Sequence, residues 1–252
     1  MKGPLSYVGG KNRFVSKILP MIPSHTTYVE PFAGGAQIFF HKTPSRVEVL
    51  NDIDGELVNF YRVCQAHHEE LLRYLHFLVV SREWYMRLQA TPPESLTDIQ
   101  RAGRYFFLQK STYGGRVANQ SYAIHVVQPP SFSRERVAEL IDETHKRLGR
   151  VQIESLPYEK AIHKYDRPTT FFYIDPPYYG VKGLYRFDFE HSQFEQLAEL
   201  LRTIKGKFLL STNDRPEVRQ IFADFQMESF SVAYTLQPRA GRRYKELLIK
   251  NY

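Results

Sequence analysis

The sequence predicts an α/β protein: a Rossmann-like, mainly parallel sheet broken by a mostly helical insertion. Three observations lead there. Short apolar runs of strand length alternate with stretches of helical periodicity, the pattern of a parallel sheet with crossover helices. TTYVEPFAGGAQIFF (26–40) reads as strand, glycine turn and helix, and a second short strand follows it. Between 65 and 152 the alternation disappears, and helical pieces are separated by Pro92-Pro93, Gly114-Gly115 and Pro129-Pro130.

In chain order, Thr27 to Pro31 is the first strand. Gly34 and Gly35 allow a sharp turn and a close backbone approach to a ligand, and the helix from Ala36 turns free N–H groups toward that ligand. Val47 to Leu50 is the second strand, with Asn51-Asp52 at its tip. The insertion carries a hairpin or loop near Tyr113 to Tyr122, then a helical stripe of Val137, Leu140, Ile141 and Leu148 that ends at Gly149. Phe171 to Ile174 reads as a buried strand. Ser192-Gln-Phe-Glu195 is a capping-box pattern opening a helix that Gly206 stops. Lys207 to Thr212 is a further strand, after which Asn213 or Asp214 caps a helix with Pro216 in its first turn. Tyr244 to Lys250 is the last strand. The expected division is a sheet domain of 1–64 and 153–252 with an inserted subdomain of 65–152.

With 252 residues, 42% of them hydrophobic and 24% charged, the chain can bury a sizeable core. A single cysteine, Cys64, excludes an internal disulfide and a multi-cysteine zinc site. The nine histidines show no metal-ligand spacing, so no metal is expected. No segment approaches the apolar length of a membrane span, and the N-terminus lacks a signal-peptide stretch; a cytoplasmic protein is the expectation. A net charge of +7 suits a polyanionic partner such as nucleic acid, although charge alone also fits an ordinary basic protein.

The segment FFYIDPPYYG (171–180) carries the chemistry. Ligands of an open α/β sheet sit beyond the C-terminal strand ends, which delivers Asp175 to the crevice of the glycine turn. Pro176 and Pro177 remove backbone donors and leave carbonyl acceptors. A carboxylate beside a carbonyl suits an –NH2 group with two hydrogens to give, and Tyr178 offers a flat face for a flipped-out base. Two acceptors on an aromatic amine draw its nitrogen toward tetrahedral geometry, which is chemistry for direct methyl transfer from a sulfonium donor. Asp52 can grip a ribose through both hydroxyls. In SYVGGKNR, Tyr7 can stack on a flat ring and Lys11 can meet a carboxylate. The turn is not G-x-G-x-x-G, so NAD and FAD are not favoured.

With YVGGK, PFAGGAQIFF, LNDIDGELVNFY, FFYIDPPYYG, GKFLLSTND and RAGRRYKELLIKNY in this order, the chain resembles the Dam-type (D12 class) adenine-N6 DNA methyltransferases nearly end to end. The resemblance implies S-adenosyl-L-methionine as methyl donor, double-stranded DNA as partner and a monomer, with a dimer as the alternative. It implies that Tyr7 and Lys11 contact the cofactor, Asp52 holds its ribose, and Phe32 and Gly34 line its pocket. It further implies that Asp175 and the Pro176 carbonyl bind the target amine and that Tyr178 stacks on the flipped adenine. Two positions depart from the pattern. Leu156-Pro157-Tyr158 stands where the family often has Asp-Phe beside the cofactor adenine, and Tyr7 replaces the tryptophan of some relatives.

Within the insertion, RAGRYFFLQKSTYGGRVANQSYAIH resembles the family's recognition region. Arg116 suits guanine and Asn119 and Gln120 suit adenine in the major groove, against the alternative of a solvated loop. Arg239, Arg242, Arg243 and Lys245 are positioned in sequence to grip the DNA backbone, or form a solvated basic face. Two rivals remain at this stage: an RNA adenine methyltransferase, and a non-catalytic DNA-binding or restriction-accessory protein of the same fold.

Overall fold

The computed structural model describes residues 1–5, 7, 11, 14–123, 132–233 and 243–252. A short helix α1 (Val15–Ile18) precedes β1 (Thr27–Glu30), α2 (Gln37–His41), β2 (Val47–Asn51) and α3 (Gly55–Ala66). Four helices follow: α4 (His68–His76), α5 (Arg82–Ala90), α6 (Asp98–Ser111) and α7 (Arg134–Leu148). The chain returns through β3 (Gln152–Glu154), α8 (Tyr158–Tyr165), β4 (Thr170–Ile174), α9 (His191–Thr203), β5 (Lys207–Asn213) and α10 (Pro216–Ile221) to β6 (Gln226–Ala233) and β7 (Arg243–Lys250).

The seven strands lie in the order β3-β2-β1-β4-β5-β7-β6. The first five are parallel, and β7 runs antiparallel between β5 and β6. The chain winds outward from β1 to β2 and β3, then crosses back to place β4 on the other side of β1. The winding direction therefore reverses between β1 and β4, where an open α/β sheet forms its ligand crevice. Pairing of Val29 with Phe172 brings the tips of these two strands side by side.

Alternation along the strands sorts the core into two layers. Tyr28, Phe171, Tyr173, Leu209 and Leu248 face one way, in one buried cluster with Phe60, Phe106 and Ile141 from α3, α6 and α7. Val29, Phe172, Ile174, Phe208 and Leu210 face the other way, against Ile162, Phe194, Leu197 and Val218. The helices of the expected insertion thus share one core with the sheet. The Phe60 and Phe106 rings, stacked 5.5 Å apart, join α3 to α6 at its centre.

Several local expectations need correction. The capping box of α9 is formed by Glu190 and Gln193, two residues earlier than the Ser192–Glu195 pattern. Neither Asn213 nor Asp214 caps α10. Its cap position is Arg215, while Asp214 takes a bidentate pair from Arg219. Pro216 does occupy the first turn. Strands β3 and β6 went unanticipated: β3 is a three-residue edge strand with an exposed first residue, and β6 is the other edge. The Gly9-Gly10 and Pro129-Pro130 readings lie outside the described residues.

Candidate active site

A cavity of about 360 Å3 opens beyond the tips of β1, β2 and β4. Its floor is the glycine turn after β1. Gly34 has φ +47°, a conformation open to glycine, and a Cβ there would meet the Tyr7 ring at 3.4 Å. Tyr7 therefore packs directly on this turn. The Gly34 N–H is donated to Asp52 Oδ2 at 2.9 Å. Helix α2 is only five residues long and starts after Ala36, whose own N–H bonds back to the Ala33 carbonyl. The Phe39 N–H likewise has a protein acceptor, in Glu30, while Gly35, Gln37 and Ile38 also line the cavity.

Asp52 lines the cavity from the tip of β2. Its Oδ1 accepts the Asp54 N–H at 2.9 Å, so each oxygen is fixed by one amide and keeps a second acceptor direction. Phe32 lies over Tyr158 with ring centroids 5.1 Å apart, and Phe189 closes on its edge at 5.5 Å. Asn51 holds the Leu156 backbone by two hydrogen bonds of 2.9 and 3.0 Å, which carries the Leu156–Tyr158 segment to the cavity wall.

Asp175 stands at the end of β4. Its Oδ1 accepts Lys11 Nζ at 2.9 Å and the Ser211 hydroxyl at 3.1 Å. Its Oδ2 and the Pro176 carbonyl receive no hydrogen bond from the described residues. Asp175, Pro176 and Pro177 all line the cavity. The loop behind them is clamped by Asn213, whose side chain accepts the Tyr179 N–H at 2.9 Å and donates to the Tyr179 carbonyl at 3.0 Å. The Tyr178 hydroxyl accepts a Lys11 proton at 2.9 Å and donates to Glu246 Oε2 at 3.0 Å.

Lys11 is held by the protein's own acceptors. It lines the cavity, yet its ammonium reaches Asp175, Glu246 at 2.6 Å and Tyr178, which accounts for all three of its protons. In this arrangement none is left for a cofactor carboxylate. Burial disfavours the ammonium, but Asp175, Tyr178 and Glu246 outweigh it and hold its pKa well above the usual lysine value.

Two acids escaped sequence reasoning. Glu30, the last residue of β1, is buried, accepts the Tyr28 hydroxyl at 2.6 Å and the Phe39 N–H at 2.9 Å, and is pushed by burial up to about 8. An acid closing an apolar strand just before a glycine turn was its only signal. Glu246 on β7 carried none. Burial also raises Asp52 to about 6 and shifts Asp54, Asp175 and Glu246 upward from their ordinary values. Glu30, Asp52, Asp54 and Asp175 all line the cavity, so its wall is acidic.

The predicted DNA-reading residues lie apart from the cavity. Thr112 and Tyr122 bridge the base of a turn, as the hairpin expectation required. Arg116 is exposed, and its guanidinium has no partner among the described residues. Asn119, at φ +49°, spends its side chain on the Gly183 carbonyl at 3.2 Å. Gln120 donates to Gln109 and to the Arg116 carbonyl, both at 2.9 Å. Arg239 and Arg242 lie outside the described residues. The segment after β4 crosses from this turn to the cavity. Its Leu184 carbonyl accepts the Val117 and Ala118 N–H groups at 3.3 Å, and its Arg186 pairs with Asp54 at 3.0 Å.

Comparison with known proteins adds the family. A family model of the D12 class N6 adenine-specific DNA methyltransferases matches residues 7–236. The Type II methyltransferase M1.LlaDCHI of Lactococcus lactis subsp. cremoris is 26% identical over 268 residues, covering 98% of this chain and 94% of the relative. The Type II methyltransferase M.CviBI of Paramecium bursaria Chlorella virus NC1A is 25% identical with both chains covered in full. The DNA N-6-adenine-methyltransferase of Escherichia phage P1 is 23% identical over 86% of this chain and 30% of its own length. No helix among the described residues is long and apolar enough to cross a membrane, and no cluster of metal-ligating side chains occurs among them. A sheet that reverses between β1 and β4, an acid–proline–proline corner at that reversal and a family match over most of the sequence lead to one conclusion: this chain belongs to the D12 class N6 adenine-specific DNA methyltransferases.

Proposed function

We propose that this protein transfers a methyl group from S-adenosyl-L-methionine to the N6 amine of an adenine flipped out of a specific double-stranded DNA sequence. The observation that carries the reading is the pair of unengaged acceptors, Asp175 Oδ2 and the Pro176 carbonyl, on the wall of a carboxylate-rich cavity. The cofactor suits this site by charge: its sulfonium would meet a cavity wall that carries Asp52 and Asp175. Asp52 would take the ribose hydroxyls, and Tyr7 and Phe32 would flank the bound molecule. When bound, S-adenosyl-L-methionine supplies an electrophilic methyl group.

The chain's own residues do the rest. Asp175 Oδ2 and the Pro176 carbonyl would each accept one hydrogen of the amine and favour the positive charge that grows on its nitrogen. Tyr178, held at its hydroxyl, would receive the adenine face by stacking. The helical stretch of 65–152 would read the sequence. Arg116, exposed and unpaired among the described residues, is its best-supported base contact.

The test uses methyl-labelled cofactor and DNA, with the product digested to nucleosides. Label in N6-methyldeoxyadenosine is expected. Folded, cofactor-binding protein that leaves every DNA unlabelled, or labels cytosine, would contradict the reading.

A further inference from the structure

Glu246 lies on β7, where the antiparallel strand passes beside the tip of β5, and its side chain is 7% exposed. Its two oxygens do different jobs. Oε1 takes a proton of Lys11 at 2.6 Å, and Oε2 takes the hydroxyl proton of Tyr178 at 3.0 Å. Lys11, 2% exposed, joins the set by donating to Asp175 and Tyr178 as well. Ser211 on β5 holds the same Asp175 oxygen that Lys11 holds, and is itself bonded to the Tyr173 hydroxyl at 2.8 Å. The result is a hydrogen-bonded network in which Lys11, Tyr178 and Glu246 close a ring, and Asp175, Ser211 and Tyr173 branch from its ammonium.

The charge count in that network is instructive. One ammonium faces two carboxylates. With Asp175 alone, Lys11 would neutralise the very group meant to meet a developing positive charge. A second carboxylate on the same ammonium leaves the network with a net negative charge where the amine is to be held. Fixing the Tyr178 hydroxyl at two points also sets the plane of its ring before any base arrives.

We propose that Glu246 is a positioning residue for methyl transfer: it shares Lys11 with Asp175, so that the Asp175 charge is less fully neutralised and stays aimed at the amine, and it locks Tyr178 for stacking. The proposal rests on the roles given above to Asp175 and Tyr178 and adds a residue that touches neither base nor cofactor. The titratable groups facing Glu246 are Lys11, Asp175 and Tyr178, and those facing its network partners include Tyr173 and Tyr185.

The test compares the full-length parent with Glu246→Gln, Glu246→Asp and Tyr178→Phe. Glu246→Gln is expected to lower kcat by roughly 10- to 100-fold while cofactor affinity by calorimetry stays within about threefold. Without the second carboxylate Lys11 bears on Asp175 alone, so the acid limb of the kcat–pH profile moves to lower pH. Glu246→Asp keeps the charge and recovers part of the rate. Tyr178→Phe keeps the ring and loses several-fold in kcat by roughly the share of one lost hydrogen bond. A folded Glu246→Gln enzyme with parental kcat and an unmoved acid limb overturns the proposal, as does a rate loss matched by an equal loss of cofactor affinity. Should Glu246→Gln fail to fold, the other two variants decide: parental kcat in Tyr178→Phe together with no more than residual rate in a folded Glu246→Asp also overturns it. A parent that labels no adenine would instead strike at the proposed function itself.

Discussion

The corner around Asp175 and the turn around Arg116 are both polar, and they are built in opposite ways. At the corner every donor is matched: Lys11 to three acceptors, Ser211 to Asp175, Asn213 to both sides of the Tyr179 peptide. Two acceptors, Asp175 Oδ2 and the Pro176 carbonyl, are left over, side by side. At the turn the side chains are exposed or bonded to the nearest backbone, as Asn119 is to Gly183 and Gln120 to Arg116. A site for bond-making benefits from groups fixed before the substrate arrives, because ordering them later would raise the barrier. A reading surface has to exchange its resting hydrogen bonds for those of a base edge, and weak, exposed bonds are the ones to exchange. Corner substitutions should therefore change kcat, and turn substitutions should change the DNA concentration dependence.

Apart from loss of Asp175 itself, the largest effect should follow loss of the stacking ring. Tyr178→Ala is expected to reduce kcat/KM for DNA by about 100-fold, because stacking and the anchored hydroxyl vanish together. Cofactor affinity should hold in calorimetry. A variant within a few-fold of the parent would place the base elsewhere. Next, Arg116→Ala should raise KM for DNA about tenfold with kcat nearly unchanged, and relax the sequence preference at one position. If kcat fell instead, the division between the two regions would fail. Asn119→Ala should act more weakly, by a few-fold in DNA affinity at roughly the scale of one exposed hydrogen bond. Because Asn119 also ties the turn to the segment carrying Arg186, a rise in cofactor Kd in that variant would sharpen the comparison by showing that the two regions communicate.

The smallest effect concerns stability. Glu30 ionises near its ordinary value in the unfolded chain and only at about 8 in the fold. The folded state therefore holds an extra proton between those limits, and stability falls as pH rises through that window. Glu30→Gln removes the titration while keeping an acceptor for the Phe39 N–H. Its Tm should exceed the parent's by a few degrees, about 2–5 °C, near pH 9 and match it near pH 5. An equal shift at both values would locate the effect in packing rather than charge.

The sheet and the corner were legible because their signals are contiguous in sequence. FFYI followed by Asp175-Pro-Pro states a buried strand and the acid at its tip in a few residues, and the glycine turn with Asp52 states the facing wall. The rest depended on distant partners. Lys11 reads as free for a ligand until the last strand brings Glu246 against it. Asn119 reads as a base contact until the loop after β4 offers it the Gly183 carbonyl. Strand β3 was hidden because an edge strand with exposed and half-buried residues lacks an apolar run. The cap of α9 slipped because Glu190 and Gln193 form the same reciprocal pattern as Ser192 and Glu195, two residues upstream.

Asp175→Ala tests the central claim most directly, with turnover and cofactor binding measured on the same preparation. The geometry predicts that adenine labelling falls by at least about a thousandfold, while the variant melts cooperatively and still binds S-adenosyl-L-methionine. Turnover within tenfold of the parent, at the scale of an accessory contact, would contradict the assignment of the amine to the Asp175 and Pro176 acceptors.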